Sequence, residues 1–140
     1  MNELKINHLA VLVSVIWMFV LGFLWYGPLF GESWMSMVGL TMEDAQANPP
    51  GAGVWITNVI SSVVPVYLMA WFFVKMNVRS LVAGAIHGFL IGFAFNLLPG
   101  MSGGMFSGDP YALAWLEGGF QMVGWAGYWV PGPRPNNFKT

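Results

Sequence analysis

Long apolar stretches separated by short polar ones dominate the pattern of this chain. Three stretches contain no charged residue at all, and a fourth, 110–133, contains only Glu117: they are 6–31, 45–74 and 80–108. Each is longer than the roughly 20 residues that a helix needs to cross about 30 Å of hydrocarbon. Runs such as LAVLVSVIWMFVLGFLW do not alternate between apolar and polar positions, which argues against transmembrane β-strands. The pattern predicts four membrane-spanning helices.

Prolines place the ends of these helices. We predict an all-α fold, a four-transmembrane-helix bundle forming a single domain over 1–130, with spans at about 7–26, 54–76, 79–98 and 111–130. Pro28 predicts the end of the first span and Pro99 the end of the third, with a loop after it. Pro65 falls near the middle of the second span and predicts a kink. Residues 131–140, PGPRPNNFKT, are predicted to be an extended cytoplasmic tail.

The connection between the first two spans, residues 27–51, carries a short amphipathic pattern. Glu32 lies on the polar face of the predicted helix, and four apolar residues share the other face: Phe30, Trp34, Met37 and Val38. This pattern is typical of a short interfacial helix at the membrane surface. Thr41, followed three residues later by Asp44, predicts a capping box that opens one more helical turn.

Composition agrees with a membrane protein. The chain is 56% hydrophobic and only 8% charged, whereas soluble domains carry roughly 25% charged residues. Its net charge of −1 gives no electrostatic footprint for nucleic acid, so no nucleic-acid partner is expected. Because it has no cysteine, disulfides and thiol chemistry are excluded.

Charges separate cleanly between the two ends of the four predicted spans. All five cations fall on one side: Lys5, Lys75, Arg79, Arg134 and Lys139. The other side carries only acids: Glu32, Glu43, Asp44 and Asp109. Since Lys and Arg in short loops stay in the cytoplasm, we expect a multi-pass protein of the bacterial inner (plasma) membrane with both termini cytoplasmic.

Polar side chains inside a span are costly and are therefore candidate functional residues. The candidates here are His87, Asn96, Glu117, Gln121 and Asn58. Two alternatives stand for Glu117: a carboxylate that handles protons or cations, or one that is hydrogen-bonded near the outer face. His87 is a weak candidate ligand for a cofactor of unknown identity, or a neutral imidazole bonded across helices. No metal site is predicted, because such a site takes three or four ligands.

Two further patterns concern packing. Gly84, Gly88 and Gly92 form a doubled GxxxG ridge, which lets another helix of this chain or of a partner approach closely. Trp25, Tyr26 and Trp34 fall near predicted span ends, where aromatic rings anchor proteins at the headgroups.

The N-terminal third carries a resemblance. The segment NHLAVLVSVIWMFVLGFLWYGPLFGESWMSMVGLTMED resembles a family of small bacterial four-helix membrane proteins catalogued only as a domain of unknown function, through an LWYxPLxFGxxW-like signature. Matching positions are Asn7, Leu24, Trp25, Tyr26, Pro28, Phe30, Gly31, Trp34, Gly39, Leu40, Thr41, Glu43 and Asp44. The resemblance implies the four-helix fold and no activity. The tail PGPRPNNFKT departs from the continuing apolar helix that the resemblance implies.

We therefore expect a non-catalytic helical membrane protein, an accessory or structural subunit that contacts the lipid bilayer and other membrane chains in a larger complex or homo-oligomer. No Ser-His-Asp, paired-carboxylate or HExxH arrangement is present. Two alternatives stay open: a small proton- or ion-coupled transporter built on Glu117, His87 and Gln121, and a protein that binds a lipid, quinone or pigment.

Overall fold

The computed structural model describes residues 5–129, and all regular structure in that range is helical. The seven α-helices are α1 (His8–Leu24), α2 (Gly31–Val38), α3 (Met42–Ala47), α4 (Ala52–Lys75), α5 (Leu81–Gly92), α6 (Leu98–Ser107) and α7 (Tyr111–Ala126). Two π-helical turns, Trp25–Leu29 and Phe93–Leu97, follow α1 and α5, and a 3-10 turn, Gly127–Trp129, follows α7. The predicted tail 131–140 lies outside the described residues.

Three helical segments are long and apolar enough to cross a membrane. They are His8–Leu29 with 22 residues, Ala52–Lys75 with 24 and Leu81–Ser107 with 27. Helix α7 has 16 residues and is the shortest of the four long elements. The chain is thus an all-helical protein of membrane character, and three of the four predicted spans coincide with helices of sufficient length.

The predicted end of the third span was wrong. The helix does not stop at Pro99 but continues through the π turn and α6 to Ser107, so the predicted loop after Leu98 is largely helical. Pro99 is the second residue after the π turn and lies in the first turn of α6, where the α-helical hydrogen-bond pattern is already interrupted, so its missing amide hydrogen costs little. The helix ends at Gly108, whose φ of 80° suits a residue without a side chain.

Local signals in the first connection are confirmed. The α-helical backbone breaks at Gly27, which has φ −107° and ψ −106°, next to Pro28. Helix α2 follows and ends at Gly39 with φ 72°. The capping box that opens α3 is present, with Thr41 and Asp44 bonded reciprocally. Helix α4 runs as one helix through Pro65, and the predicted kink stays a prediction.

Glycines bring α5 and α7 close together along one seam. A methyl group at Gly88 would collide with the carbonyl oxygen of Trp125, and one at Gly92 would lie 2.8 Å from the Cα of Met122. Further along the seam the glycine lies on α7 instead: Leu97 of the second π turn packs against Gly118. The two helices therefore touch backbone to backbone, as small residues permit in membranes.

The long helices are packed unevenly. In the packed half, where α1 begins and α4 and α7 end, a buried cluster joins Val11, Met18, Val66, Met69, Phe73, Val78 and Tyr128. In the open half, where α1 ends and α4 and α7 begin, every residue of α4 from 52 to 61 is exposed. The first part of α4 thus stands away from the other helices.

Candidate functional site

A cavity of about 860 Å³ occupies the space that α4 leaves in the open half. Its walls come from the second half of α1, the first half of α4 and α7, with contributions from α2, both π turns and the 3-10 turn. Its polar lining residues are Asn58, Ser61, Ser62, Asn96 and Gln121, and its aromatic ones include Phe19, Phe23, Tyr26, Trp34, Trp55, Phe120 and Trp125. It therefore combines an aromatic wall with a few convergent polar groups, as ligand pockets do.

A second, smaller cavity of about 230 Å³ adjoins the first. The two share Tyr26, Asn96 and Gln121 as lining residues, and the smaller one adds Glu117 from α7. Four of the five intramembrane polar candidates therefore line this pair of cavities. The fifth, His87, lines neither of them.

Asn96 is the least satisfied polar group in the described residues. Its Nδ2 atom is buried and has no hydrogen-bond partner. The residue belongs to the second π turn, Phe93–Leu97, and contributes to both cavities. Since π turns in helices are frequent at functional sites and buried donors are nearly always paired, Asn96 is a candidate ligand-binding residue.

The aromatic residues after α1 dock onto α7. Trp25 donates from its indole Nε1 to the carbonyl oxygen of Leu116 at 3.1 Å. The ring of Tyr26 meets Phe120 edge-on at 5.2 Å and Trp34 at 5.5 Å between centroids. Trp25, Tyr26 and Trp34 were predicted to be anchors at the headgroups, which stays a prediction, and the indoles of Trp25 and Trp34 both donate within the protein.

Glu117 is one of the residues that line the smaller cavity. It is an exposed residue of α7, and its Oε1 accepts a hydrogen bond from the indole Nε1 of Trp34 at 3.2 Å. This bond ties α2 to α7. Glu117 is thus hydrogen-bonded in the structure, and its role in handling protons or cations stays a prediction.

The similarity of this chain to known sequences points to a family without an assigned role. A family model described as "Protein of unknown function (DUF1761)" matches residues 9–128. The chain belongs to the DUF1761 family. The match runs from α1 to the turn after α7, so it contains every residue that lines the two cavities. No curated protein and no solved structure matches this DUF1761 chain.

The structure gives His87 no place in the site of this DUF1761 protein. Its Nδ1 bonds the carbonyl oxygen of Ala83, one turn earlier in α5, so that bond lies within the helix and does not cross to a neighbour. Within residues 5–129 no group of three or more His, Asp or Glu side chains is placed to hold a metal ion. The cofactor role of His87 stays a prediction.

The glycine ridge serves the fold of the DUF1761 chain itself. Gly84, Gly88 and Gly92 are all buried, and the last two face α7, as the seam shows. The ridge had suggested either a helix of this chain or a partner chain. Since its own α7 occupies this face, the ridge no longer supports a partner helix.

Sequence inspection missed part of the cavity, although a signal was present. Trp55, Asn58, Ser62 and Pro65 of α4 are spaced by three or four residues and line one face. The same spacing relates Glu117, Gln121 and Trp125 on α7. These aromatic and polar positions form two facing stripes, one on α4 and one on α7. The depth of each polar residue in the membrane does not reveal this arrangement.

Proposed function

We propose that this protein is a non-catalytic integral membrane protein that binds a single-chain amphiphile in the larger cavity. The polar end of the ligand accepts a hydrogen bond from Asn96, and its hydrocarbon chain lies along the aromatic wall toward the gap beside α4. The observation that carries this proposal is an 860 Å³ cavity lined by a buried amide without a partner.

The size and chemistry of the cavity support this class of ligand. Small-molecule sites measure roughly 300–1,000 Å³ and combine apolar walls with few polar groups. The amide groups of Asn96 and Gln121 lie on the side shared with the smaller cavity, whereas Phe19 and Phe23 come from α1. A ligand with one polar end and one apolar chain matches both kinds of lining.

We place the protein in a bacterial inner membrane with four spans and both termini in the cytoplasm. Helix α7 supplies the fourth span, since it runs antiparallel along α5 and is charge-free apart from Glu117. The charge distribution supports this orientation: Lys75 and Arg79 flank one end of the bundle, and the acids of α2 and α3 flank the other. In this orientation the open half lies in the outer leaflet.

Exposure of α4 also favours a second candidate, in which a further membrane chain packs there and the protein is an accessory subunit. The first half of α4 presents large apolar residues such as Val54 and Ile56, which are 59% and 60% exposed. Lipid covers such an apolar face as well as a partner chain does, so the exposure of α4 does not distinguish the two candidates. The cavity beside α4 is the observation that favours amphiphile binding.

Labelling with a photoreactive long-chain alcohol tests the proposal. The protein is held in a neutral maltoside detergent, and the labelled peptides are located by mass spectrometry. We expect label to concentrate on the cavity walls, in the second half of α1 and the first half of α4. An even distribution over all lipid-facing helices overturns the proposal, and a second chain recovered across α4 instead of label favours the accessory subunit.

A pair of neighbouring substitutions provides the control. Ser61→Trp fills the cavity from a residue that lines it, and Ile60→Trp adds the same bulk at an exposed neighbour outside it. We expect Ser61→Trp to reduce labelling about tenfold and Ile60→Trp to leave it within about twofold, where tenfold corresponds to about 1.4 kcal/mol. Equal labelling of the two variants contradicts the proposal.

A further inference from the structure

The lining of the larger cavity carries no ionised group. Among the described residues that form it, the polar side chains are amides, hydroxyls and indoles, and none is Lys, Arg, His, Asp or Glu. The smaller cavity has one ionisable acid, Glu117, which is an exposed residue and already accepts a hydrogen bond from Trp34. A ligand in the larger cavity therefore meets no charge of the protein that could compensate a charge of its own.

The basic side chains lie elsewhere in the fold. Within residues 5–129 they are Lys5, which precedes α1, and Lys75 and Arg79, which flank the turn between α4 and α5. None of the three lines either cavity. Because burying an ionised group without a partner is strongly unfavourable, an anionic head group does not suit this cavity.

The hydrogen-bonding groups of the lining exclude a cationic head as well. The buried Nδ2 of Asn96 is a donor without a partner, and only an acceptor on the ligand satisfies it. An ammonium group has donors or none, and it accepts no hydrogen bond. Ser62 is no substitute partner for the ligand as a donor, because its hydroxyl donates to the carbonyl oxygen of Asn58 at 2.9 Å.

We infer that the amphiphile bound by this protein is an uncharged single-chain lipid whose head is an oxygen acceptor, as in an alcohol, an ester or an amide. This inference rests on the proposed function. The oxygen accepts from Asn96, which lines both cavities together with Gln121. Fatty-acid anions, quaternary ammonium amphiphiles and phospholipids all carry a charged head, so they are excluded as the ligand.

Competition for the photoreactive alcohol separates the head groups. Dodecanol, methyl dodecanoate, dodecanoate and dodecyltrimethylammonium carry chains of the same length, and their concentrations are expressed relative to the detergent. At pH 8 we expect the two uncharged compounds to displace the label at about tenfold lower concentration than the two charged ones. Equal displacement by charged and uncharged compounds overturns the inference.

The pH dependence of dodecanoate competition tests charge within one compound. Protonation at low pH converts the carboxylate into an uncharged acid that still has an oxygen acceptor. We therefore expect its competition to approach that of dodecanol as the pH falls. Dodecanol, measured over the same pH range, controls for titration of the protein, and dodecyltrimethylammonium stays weak. Competition by dodecanoate that does not change with pH contradicts the inference.

Dodecane tests the acceptor, since it has the same chain and no oxygen. We expect dodecanol to compete about tenfold better than dodecane in the parent, and Asn96→Leu to reduce this ratio to within about twofold. Asn48→Leu is the matched control: it makes the same substitution at an exposed asparagine after α3 that lines neither cavity. The control should keep the ratio of the parent, and a ratio that also persists in Asn96→Leu contradicts the inference.

The outcomes separate this inference from the proposed function. If all the compounds compete equally and Ser61→Trp abolishes labelling, the cavity binds amphiphiles without selecting their heads, and only the inference fails. If no compound competes, the proposed function itself fails. A phospholipid that stays bound in the purified protein and blocks labelling overturns the uncharged single-chain assignment.

Discussion

The packed half and the open half are built from the same helices but differ in how far their side chains are buried. In the packed half, α4 buries Val66, Met69 and Phe73 to 3% exposure or less. In the open half the same helix leaves Trp55 57% exposed and turns polar groups such as Asn58 toward a cavity. One helix of this chain therefore both buries the core in the packed half and forms a wall of the cavity in the open half.

Truncating one aromatic residue in each half gives the largest expected contrast. Phe73→Ala removes a ring that is 1% exposed, and we expect the free energy of unfolding to fall by about 3–5 kcal/mol. Trp55→Ala, in the open half, is expected to cost less than about 0.5 kcal/mol. Denaturant titration of both variants in the same detergent measures the difference, and similar losses would remove the distinction between the halves.

Two glycine-to-alanine substitutions, one in the seam between α5 and α7 and one in the open half, give the second-largest expected effect on stability. Gly88→Ala places a methyl group against the carbonyl of Trp125, and we expect a loss of about 1–3 kcal/mol as α5 and α7 separate. Gly53→Ala, in the open half, meets no atom within 4 Å, and we expect a gain of up to about 1 kcal/mol from helix propensity. Opposite signs in the two denaturation curves confirm the seam, and equal signs contradict it.

A substitution at Asn96 is expected to change ligand binding in the open half without lowering the free energy of unfolding. Asn96→Leu keeps the approximate size and removes a buried donor that has no partner. We expect the free energy of unfolding to stay level or rise by about 1 kcal/mol, while labelling by the photoreactive alcohol falls severalfold. A clear loss of stability would show that the amide is satisfied within the fold and has no need of a ligand.

The smallest expected effect is a local one, on the capping box of α3. Hydrogen bonds from the side chain and backbone of Thr41 lower the pKa of Asp44 below its ordinary value of 3.8. The ionised carboxylate therefore stabilises α3 fully above that ordinary value, and this contribution is lost as pH falls through the lowered pKa. Amide hydrogen exchange in α3 measures it, and Thr41→Ala should reduce the pH dependence, since only the backbone hydrogen bond to Asp44 remains. Exchange in α5 should not change over the same range.

Part of this architecture could be read from the sequence because its causes are local. The charge-free stretches follow from the cost of ions in hydrocarbon, and the capping box at Thr41 depends on residues three apart. The resemblance to a domain of unknown function is confirmed by the family match over residues 9–128. These features require no knowledge of which helix lies beside which.

Features that depend on neighbouring helices were not predictable. The helix continues past Pro99 because a π turn precedes it, and nothing in the residue pattern announces that turn. The cavity exists because α5 and α7 close on their glycines while α4 does not follow them. Asn96 and Glu117 were both identified as intramembrane polar candidates, but their sharing of one cavity depends on this packing.

Indole hydrogen bonds give the two halves separate spectroscopic reporters. Trp17 donates to the carbonyl oxygen of Gly124 in the packed half, and Trp25 and Trp34 donate to Leu116 and Glu117 in the open half. Each indole proton gives its own amide-region resonance, so three signals follow three points along α7. A ligand that enters beside Glu117 shifts the Trp34 signal first and leaves that of Trp17 in place, which locates the event without any label.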